Sequence, residues 1–140
     1  MTDAIEAAIR VATSGLETQS ARLRISAENM ANANSTGDTP GSNPYSRKTI
    51  TFESEIDRVS GVDLVHVKDI GIDTTPFKIE YDPNNPAADD NGFVKMPNVN
   101  VMTEMADMRE ANKAYSANVE VIKQGRQLYM MTIDLLRNSA

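Results

Sequence analysis

The sequence predicts an α+β fold in which an N-terminal and a C-terminal helix pair as a coiled-coil-like domain and enclose a small β domain. Three observations predict it. Apolar side chains recur at helical spacing near both chain ends, and the segment between them combines turn residues with short alternating stretches. Residues 1–33 and 98–140 are therefore predicted to form one discontinuous helical assembly domain, with residues 34–97 as a loop and β insertion domain.

The N-terminal helix is predicted from apolar residues that follow one another at alternating four- and three-residue steps. Alanine is frequent around this stripe; it favours helix and allows a partner helix to approach closely. Gly15 is the weak point of the predicted helix, at a cost of about 1 kcal/mol against alanine. The residues of the stripe are Ile5, Ile9, Ala12, Leu16, Leu23 and Met30.

The C-terminal helix shows the longest periodic pattern in the chain. Eleven positions follow an unbroken four-three spacing and nine of them are apolar, which predicts a heptad seam. About 37 residues with a rise of about 1.5 Å each would form a rod of roughly 55 Å. The positions are Val101, Met105, Met108, Asn112, Tyr115, Val119, Ile122, Arg126, Tyr129, Ile133 and Leu136.

A second apolar stripe lies roughly 150° around the same helix. A helix with two nearly opposed apolar faces needs partners on both sides. The N-terminal helix can cover one face, and we expect a neighbouring molecule to cover the other. In the alternative, the middle region of the same chain folds over it. The second stripe consists of Ala114, Ala117, Val121, Leu128, Met131 and Leu135.

The middle region begins with a predicted loop at 34–44, which is rich in Gly, Pro, Asn and Asp. Short strands are predicted at 62–67, 70–72 and 77–81, the last with clean apolar–polar alternation. The dipeptide Asn91-Gly92 predicts a tight turn before a further apolar stretch. A small β element between two helices accounts for this order.

Composition and residue inventory exclude several classes of function. A net charge of −6 at pH 7 argues against nucleic-acid binding, and no apolar run is long enough for direct membrane insertion. The chain has no cysteine and one histidine, His66, which is predicted to face solvent on a strand. The acidic cluster at 82–90 does not match a calcium loop, because Pro83 and Pro86 interrupt it. We therefore predict a structural protein that is not an enzyme and uses no cofactor or metal.

Four stretches resemble a known family. Residues 14–32 are similar to the N-terminal signature that flagellar rod and hook proteins share, with Asn29 and Asn32 as its characteristic pair. The segment 104–118 resembles the C-terminal signature of the same axial proteins. The stretches 39–48 and 92–100 narrow the resemblance to the proximal members of the flagellar basal-body rod protein family.

This resemblance implies a structural subunit of the proximal rod of the bacterial flagellar basal body. Such a subunit stacks helically in the periplasm, transmits torque for motility and lines the export channel. The implied partners are the other rod proteins, further copies of the chain, the membrane-ring adaptor and the type III export apparatus. The first residues, Met1–Glu6, lack the basic flank and apolar core of a Sec signal peptide, in agreement with that export route. The alternative is a soluble coiled-coil adaptor or export chaperone.

The predicted assembly interface combines the apolar seams, the two signature asparagines and the loop at 34–48. In this loop, Tyr45 and Arg47 are candidates for a lateral contact between neighbouring subunits, and the alternative is an ordinary solvated loop. The predicted interface residues are Ile9, Leu16, Leu23, Asn29, Met30, Asn32, Tyr45, Arg47, Met105, Met108, Tyr115, Val119, Val121, Ile122, Leu128, Tyr129, Ile133 and Leu136.

Overall fold

Two long helices and two two-stranded antiparallel sheets make up the fold in the computed structural model, which confirms the predicted α+β class. The structure describes residues 2–140; Met1, which the predicted segments 1–33 and Met1–Glu6 include, lies outside the described residues. The elements in chain order are α1 (Thr2–Ala31), β1 (Lys48–Ile56), β2 (Asp63–Ile72), β3 (Lys78–Tyr81), β4 (Phe93–Met96) and α2 (Val101–Asn138).

The two helices pack against each other in antiparallel orientation. The second half of α1 meets the start of α2, where Arg22 lies 3.3 Å from Asp107. The start of α1 meets the second half of α2, where Ile9 contacts Gly125. Asn100 begins α2, because its side chain accepts hydrogen bonds from the backbone N–H groups of the first turn. From there α2 runs without a break for 38 residues. Within residues 2–140, neither helix is both long enough and apolar enough to cross a membrane.

At three points along α2 the buried residue stands one position before the residue that the predicted seam selects. The buried residues of this helix are Glu104, Ala111 and Gly125, two of which are small and one of which is charged. A rule based on apolar spacing does not select such residues. Each stands one position before a residue of the predicted seam, and these predicted residues are exposed: Met105, Asn112 and Arg126.

The two helix glycines mark the points of closest approach between α1 and α2. A Cβ at Gly15 would lie 2.7 Å from the amide nitrogen of Asn118, and one at Gly125 would lie 2.8 Å from Cγ1 of Ile9. Both distances are well inside ordinary van der Waals contact, which is about 3.5–4.0 Å between carbon atoms. Gly15 is therefore a contact position, where the absence of a side chain leaves room for Asn118.

The strands β1 and β2 form a hairpin that packs on α1. The backbone N–H of Val65 donates to Ser14 Oγ at 3.3 Å, and Arg10 Nη1 donates to Asp57 Oδ2 at 2.9 Å. Across residues 2–140, no strand packs along α2, and Val121, Leu128 and Leu135 of its second stripe are exposed, so the alternative in which the middle region covers this face is wrong. β1 has no counterpart among the predicted strands, and the predicted pair at 62–67 and 70–72 is the single strand β2.

The second sheet pairs Lys78–Tyr81 with Phe93–Met96 in antiparallel register. The predicted Asn91-Gly92 turn is confirmed. Gly92 has φ of 84°, and its N–H donates to the carbonyl of Asp89 at 3.0 Å. The buried apolar residues of this region are Ala87 in the loop before β4, Val94 in β4, and Pro97 and Val99 between β4 and α2.

Candidate assembly interface

The first turn of α2 carries a buried carboxylate at the junction of three segments. Glu104 is 1% exposed, and its Oε1 accepts a hydrogen bond from Arg47 Nε. Arg47 also lies 3.4 Å from Asp73, just after β2, and 3.9 Å from Asp107. Burial disfavours the charged guanidinium, but Glu104, Asp73 and Asp107 outweigh it and raise the pKa of Arg47. This side chain therefore joins the loop before β1 to the end of β2 and the start of α2.

The first signature asparagine holds the start of β1 on α1. Asn29 is 1% exposed, and its Oδ1 accepts from the backbone N–H of Lys48 at 2.8 Å, while its Nδ2 donates to the Lys48 carbonyl at 2.9 Å. The hydroxyl of Tyr45 donates to the same Oδ1 at 2.8 Å. Burial, followed by the nearby charges of Glu28 and Glu104, raises the pKa of Tyr45. This network makes Asn29 a positioning residue within the chain.

The second signature asparagine shapes the exit from α1. Asn32 Nδ2 donates to the carbonyl of Glu28 at 2.9 Å, and Asn32 Oδ1 accepts from Ser35 Oγ at 3.0 Å. The first bond returns to the last turn of α1, and the second joins two side chains just beyond the helix. Asn32 therefore directs the chain into the loop that carries Tyr45.

Asn98 is a junction residue that the sequence reasoning does not single out. Its Oδ1 accepts from the backbone N–H of Arg47 at 2.8 Å. Its Nδ2 donates to the carbonyls of Asp73 and Thr75 at 3.1 and 3.0 Å. The signal was present in the sequence, because Asn98 and Asn100 stand just before a predicted helix and asparagine commonly bonds to backbone there.

Tyr45 and Arg47 do not belong to an ordinary solvated loop. Both are half-buried and hydrogen-bonded to other segments of the same chain, so that alternative is wrong for these two side chains. Their contact with a neighbouring subunit stays a prediction.

The predicted interface residues on the helices fall into two groups. Apart from Asn29, which is buried, those on α1 and four on α2 are half-buried: Ile9, Leu16, Leu23, Met30, Met108, Tyr115, Val119 and Ile122. The others leave a large part of their apolar surface in solvent: Met105, Val121, Leu128, Tyr129, Ile133 and Leu136. All members of the second group except Met105 lie in the distal half of α2. Large exposed apolar surfaces of this kind mark sites of protein association.

Two apolar grooves flank the contact between the start of α1 and the distal half of α2. Each has a volume of about 390 Å³. One is lined mainly by Ile9, Tyr129 and Met130, and the other by Ala4, Ala8, Leu128 and their neighbours. Their shape and lining suit the insertion of apolar side chains from another helix.

The single histidine belongs to a hydrogen-bonded pair on the surface of the hairpin. His66 Nε2 lies 3.1 Å from Glu53 Oε1, and both side chains are partly exposed. This hydrogen bond is the main reason that the pKa of Glu53 lies below its ordinary value. Within residues 2–140, no three His, Cys, Asp or Glu side chains are grouped so that they could hold a metal ion.

Two family models match segments that include most of α1 and most of α2. The family described as flagella basal body rod protein matches residues 9–37, and the flagellar basal body rod FlgEFG protein C-terminal family matches residues 90–135. The chain is 64% identical over 137 residues to the flagellar basal-body rod protein FlgC of Agrobacterium fabrum, which covers 98% of this chain and 99% of the relative. The chain belongs to the FlgC family of flagellar basal-body rod proteins.

More distant members of the FlgC family match along most of their length. The Salmonella typhimurium relative is 39% identical over 89% of this chain and 92% of its own length. The Borreliella burgdorferi relative is 34% identical over 92% of this chain and 95% of its own length. The predicted resemblance is thereby confirmed, and the chain is a structural rod subunit of the flagellar basal body; an adaptor or chaperone function is not favoured.

Proposed function

We propose that the chain is a subunit of the proximal rod that stacks helically in the periplasm, transmits torque and lines the export channel. The observation that carries this proposal is the exposed apolar strip on the distal half of α2, which consists of Val121, Leu128, Tyr129, Ile133 and Leu136 and is called the distal strip below. In the proposed arrangement, residues 1–33 and 98–140 act as one helical assembly domain, and residues 34–97 act as the insertion. The proposed partners are other rod proteins, further copies of the chain and the membrane-ring adaptor, with delivery by the flagellar type III export apparatus.

Burial of the distal strip supplies the driving force for this assembly. Covering a large aliphatic or aromatic side chain contributes about 1.5–3 kcal/mol when it is fully removed from water. Leu128 and Leu136 are 53% and 65% exposed, so most of that contribution is still available to a neighbouring molecule. Neighbouring helices that enter the two grooves beside α1 would complete the coverage.

The junction around Arg47 gives the proposed torque path its mechanical basis. Asn29 holds the start of β1 on α1, and Arg47 joins the same loop to Glu104 on α2. A force on the insertion domain therefore reaches both helices through short, largely buried bonds. Asn29 has no exposed surface to offer a neighbour, so we propose that it acts in assembly by positioning the hairpin.

A charge placed in the distal strip tests the proposal. We expect Leu128→Glu to lower the free energy of unfolding of the monomer by no more than about 1.5 kcal/mol, because about half of the side chain is already exposed. In the rod the same carboxylate would be buried without a partner, so rod assembly and swimming should be lost. The measurements are urea unfolding of the purified chain and, in cells with only the variant, swimming assays and electron microscopy of basal bodies.

The matched control is Gln127→Glu, which adds the same charge at an adjacent exposed polar position. We expect this variant to assemble and swim. Normal swimming of the Leu128→Glu strain would show that the strip is not part of the rod interface, and the proposal would then be wrong.

A further inference from the structure

One face of the β3–β4 sheet exposes an apolar patch that is separate from the helices. Ile79, Tyr81 and Phe93 point to the same side, since Tyr81 is paired with Phe93 and residues two apart on a strand share a face. They are 59%, 68% and 45% exposed. The Tyr81 and Phe93 rings meet edge to face, with centroids 5.4 Å apart. Exposed aromatic groups of this kind are typical anchors of protein interfaces.

The aromatic pair is held in place by the backbone around it. Gly92 lies directly against the Tyr81 ring, where a Cβ would stand 2.8 Å from Cε2. The Asp89 carboxylate accepts from the backbone N–H of Phe93 at 2.9 Å and thereby fixes the start of β4. On the opposite face of that strand, Val94 is 1% exposed and anchors the sheet. A rigid anchor loses little conformational entropy on binding, which favours its use as a docking surface.

The edge of the patch carries unpaired negative charge. Asp82 and Asp90, in the segment that joins β3 to β4 beside the Tyr81–Phe93 pair, are exposed, and within residues 2–140 neither forms an ion pair. Lys95 stands beside Ile79 on the face of the patch and Lys78 on the other face, but both amino groups bond to other segments. Lys95 Nζ lies 3.3 Å from the carbonyl of Gly41 and 3.1 Å from the side chain of Asn43, and Lys78 Nζ lies 3.4 Å from the carbonyl of Val99.

We propose that this face docks a different protein, which inserts an apolar side chain against Tyr81 and Phe93 and places Lys or Arg residues beside the acidic edge. An apolar centre with a charged rim is the common arrangement of protein interfaces, and complementary rim charges select the partner. A second copy of this chain fits less well, because its net charge is also −6. Addition of a partner strand to β3 is hindered, since Pro76 and Pro83 limit that edge to a few residues.

Photo-crosslinking in assembled flagella tests this proposal. The photoreactive residue p-benzoyl-phenylalanine replaces Ile79 in cells that build flagella with this chain, and mass spectrometry identifies the crosslinked peptide. We expect a crosslink to a different protein, within a segment that contains an apolar residue flanked by Lys or Arg. The same residue at Glu80, which points to the other face, serves as the control and should crosslink much less. A crosslink to a second copy, a crosslink to an acidic segment or no crosslink at all would overturn the proposal.

The charge of the edge is tested separately. In the Ile79 crosslinking background, we expect the double variant Asp82→Asn and Asp90→Asn to lower the crosslink yield about two- to fivefold, as loss of exposed charge pairs does elsewhere. The control is Asp38→Asn with Asp63→Asn, which makes the same change of net charge at exposed positions outside the patch. Equal yields in the two double variants would show that the acidic edge does not contribute.

Discussion

The two halves of α2 differ in where their side chains find partners. The proximal half, residues 101–118, begins at an asparagine cap and buries Glu104 and Ala111 against the rest of the chain. Its three acidic side chains are paired with arginines of other segments. In the distal half, residues 119–138, all of which the structure describes, Gly125 is the one buried residue, and large apolar side chains such as Leu128 and Leu135 are exposed. The proximal half is thus tied to other segments of the chain, whereas most large apolar side chains of the distal half are exposed. Apolar content alone does not show which part of a helix is buried.

The largest expected effect tests the claim that the proximal half is anchored within the chain. Removing one partner of a buried ion pair leaves the other without compensation, at a cost of about 3–5 kcal/mol. We therefore expect Glu104→Ala to lower the free energy of unfolding by about 3 kcal/mol, at the lower end of that range. The reason is that Arg47 retains 23% side-chain exposure and the neighbouring Asp73. Urea unfolding of the purified chain measures the change.

The matched control on the same helix is Glu110→Ala. Glu110 also pairs with an arginine, Arg22 at 3.3 Å, but its side chain is 71% exposed. An exposed pair contributes about 0–1 kcal/mol, so this variant should remain close to the parent chain. If both variants lost similar stability, burial of Glu104 would not be what anchors the proximal half.

An intermediate effect is expected where α1 crosses the distal half. Gly125→Val would place a branched side chain where even a Cβ lies 2.8 Å from Cγ1 of Ile9. Overpacking of this kind costs about 1–3 kcal/mol, and we expect a loss in this range, measured by urea or thermal unfolding. Ser116→Val, at an exposed position of α2, makes a similar change of side chain without the clash. A stability of Gly125→Val equal to that of Ser116→Val would mean that the helices are not in close contact at this point.

The smallest expected effect concerns acid. Hydrogen bonds from Thr75, with the charge of Arg47, hold the pKa of Asp73 below its ordinary value of 3.8. A lowered pKa in the folded state contributes stability above the unfolded value, and this contribution is lost as the pH falls through the folded value. We expect NMR titration to find the pKa of Asp73 below 3.8 in the parent chain, and higher in Thr75→Val. In the neighbouring control Thr74→Val, it should not move.

As the pH falls, the ion pairs around Arg47 that hold the proximal half should therefore weaken first. The distal strip has no comparable carboxylate network and should be affected less. An unchanged Asp73 pKa in Thr75→Val would show that the threonine is not its main hydrogen-bond donor.

The contacts around Arg47 show what residue patterns can and cannot predict. Asn29, Tyr45 and Arg47 are all selected as functional candidates from the sequence, but the structure uses them first to join segments of their own chain. Arg47 and Glu104 are 57 residues apart, and no local periodicity relates two such positions. β1 is missed for a different reason, because its apolar–polar alternation is short: Ile50 and Phe52 are followed by the polar run 53–55.

The sequence by itself determined the two terminal helices, the α+β class and the excess of apolar side chains on the last helix. These features follow from spacing along the chain, because helical periodicity depends on neighbours three and four residues away. Only the tertiary structure decided which side of α2 faces α1. That choice depends on Gly15, Gly125 and the buried Glu104, whose small size or distant charge partner matters only once the helices are side by side.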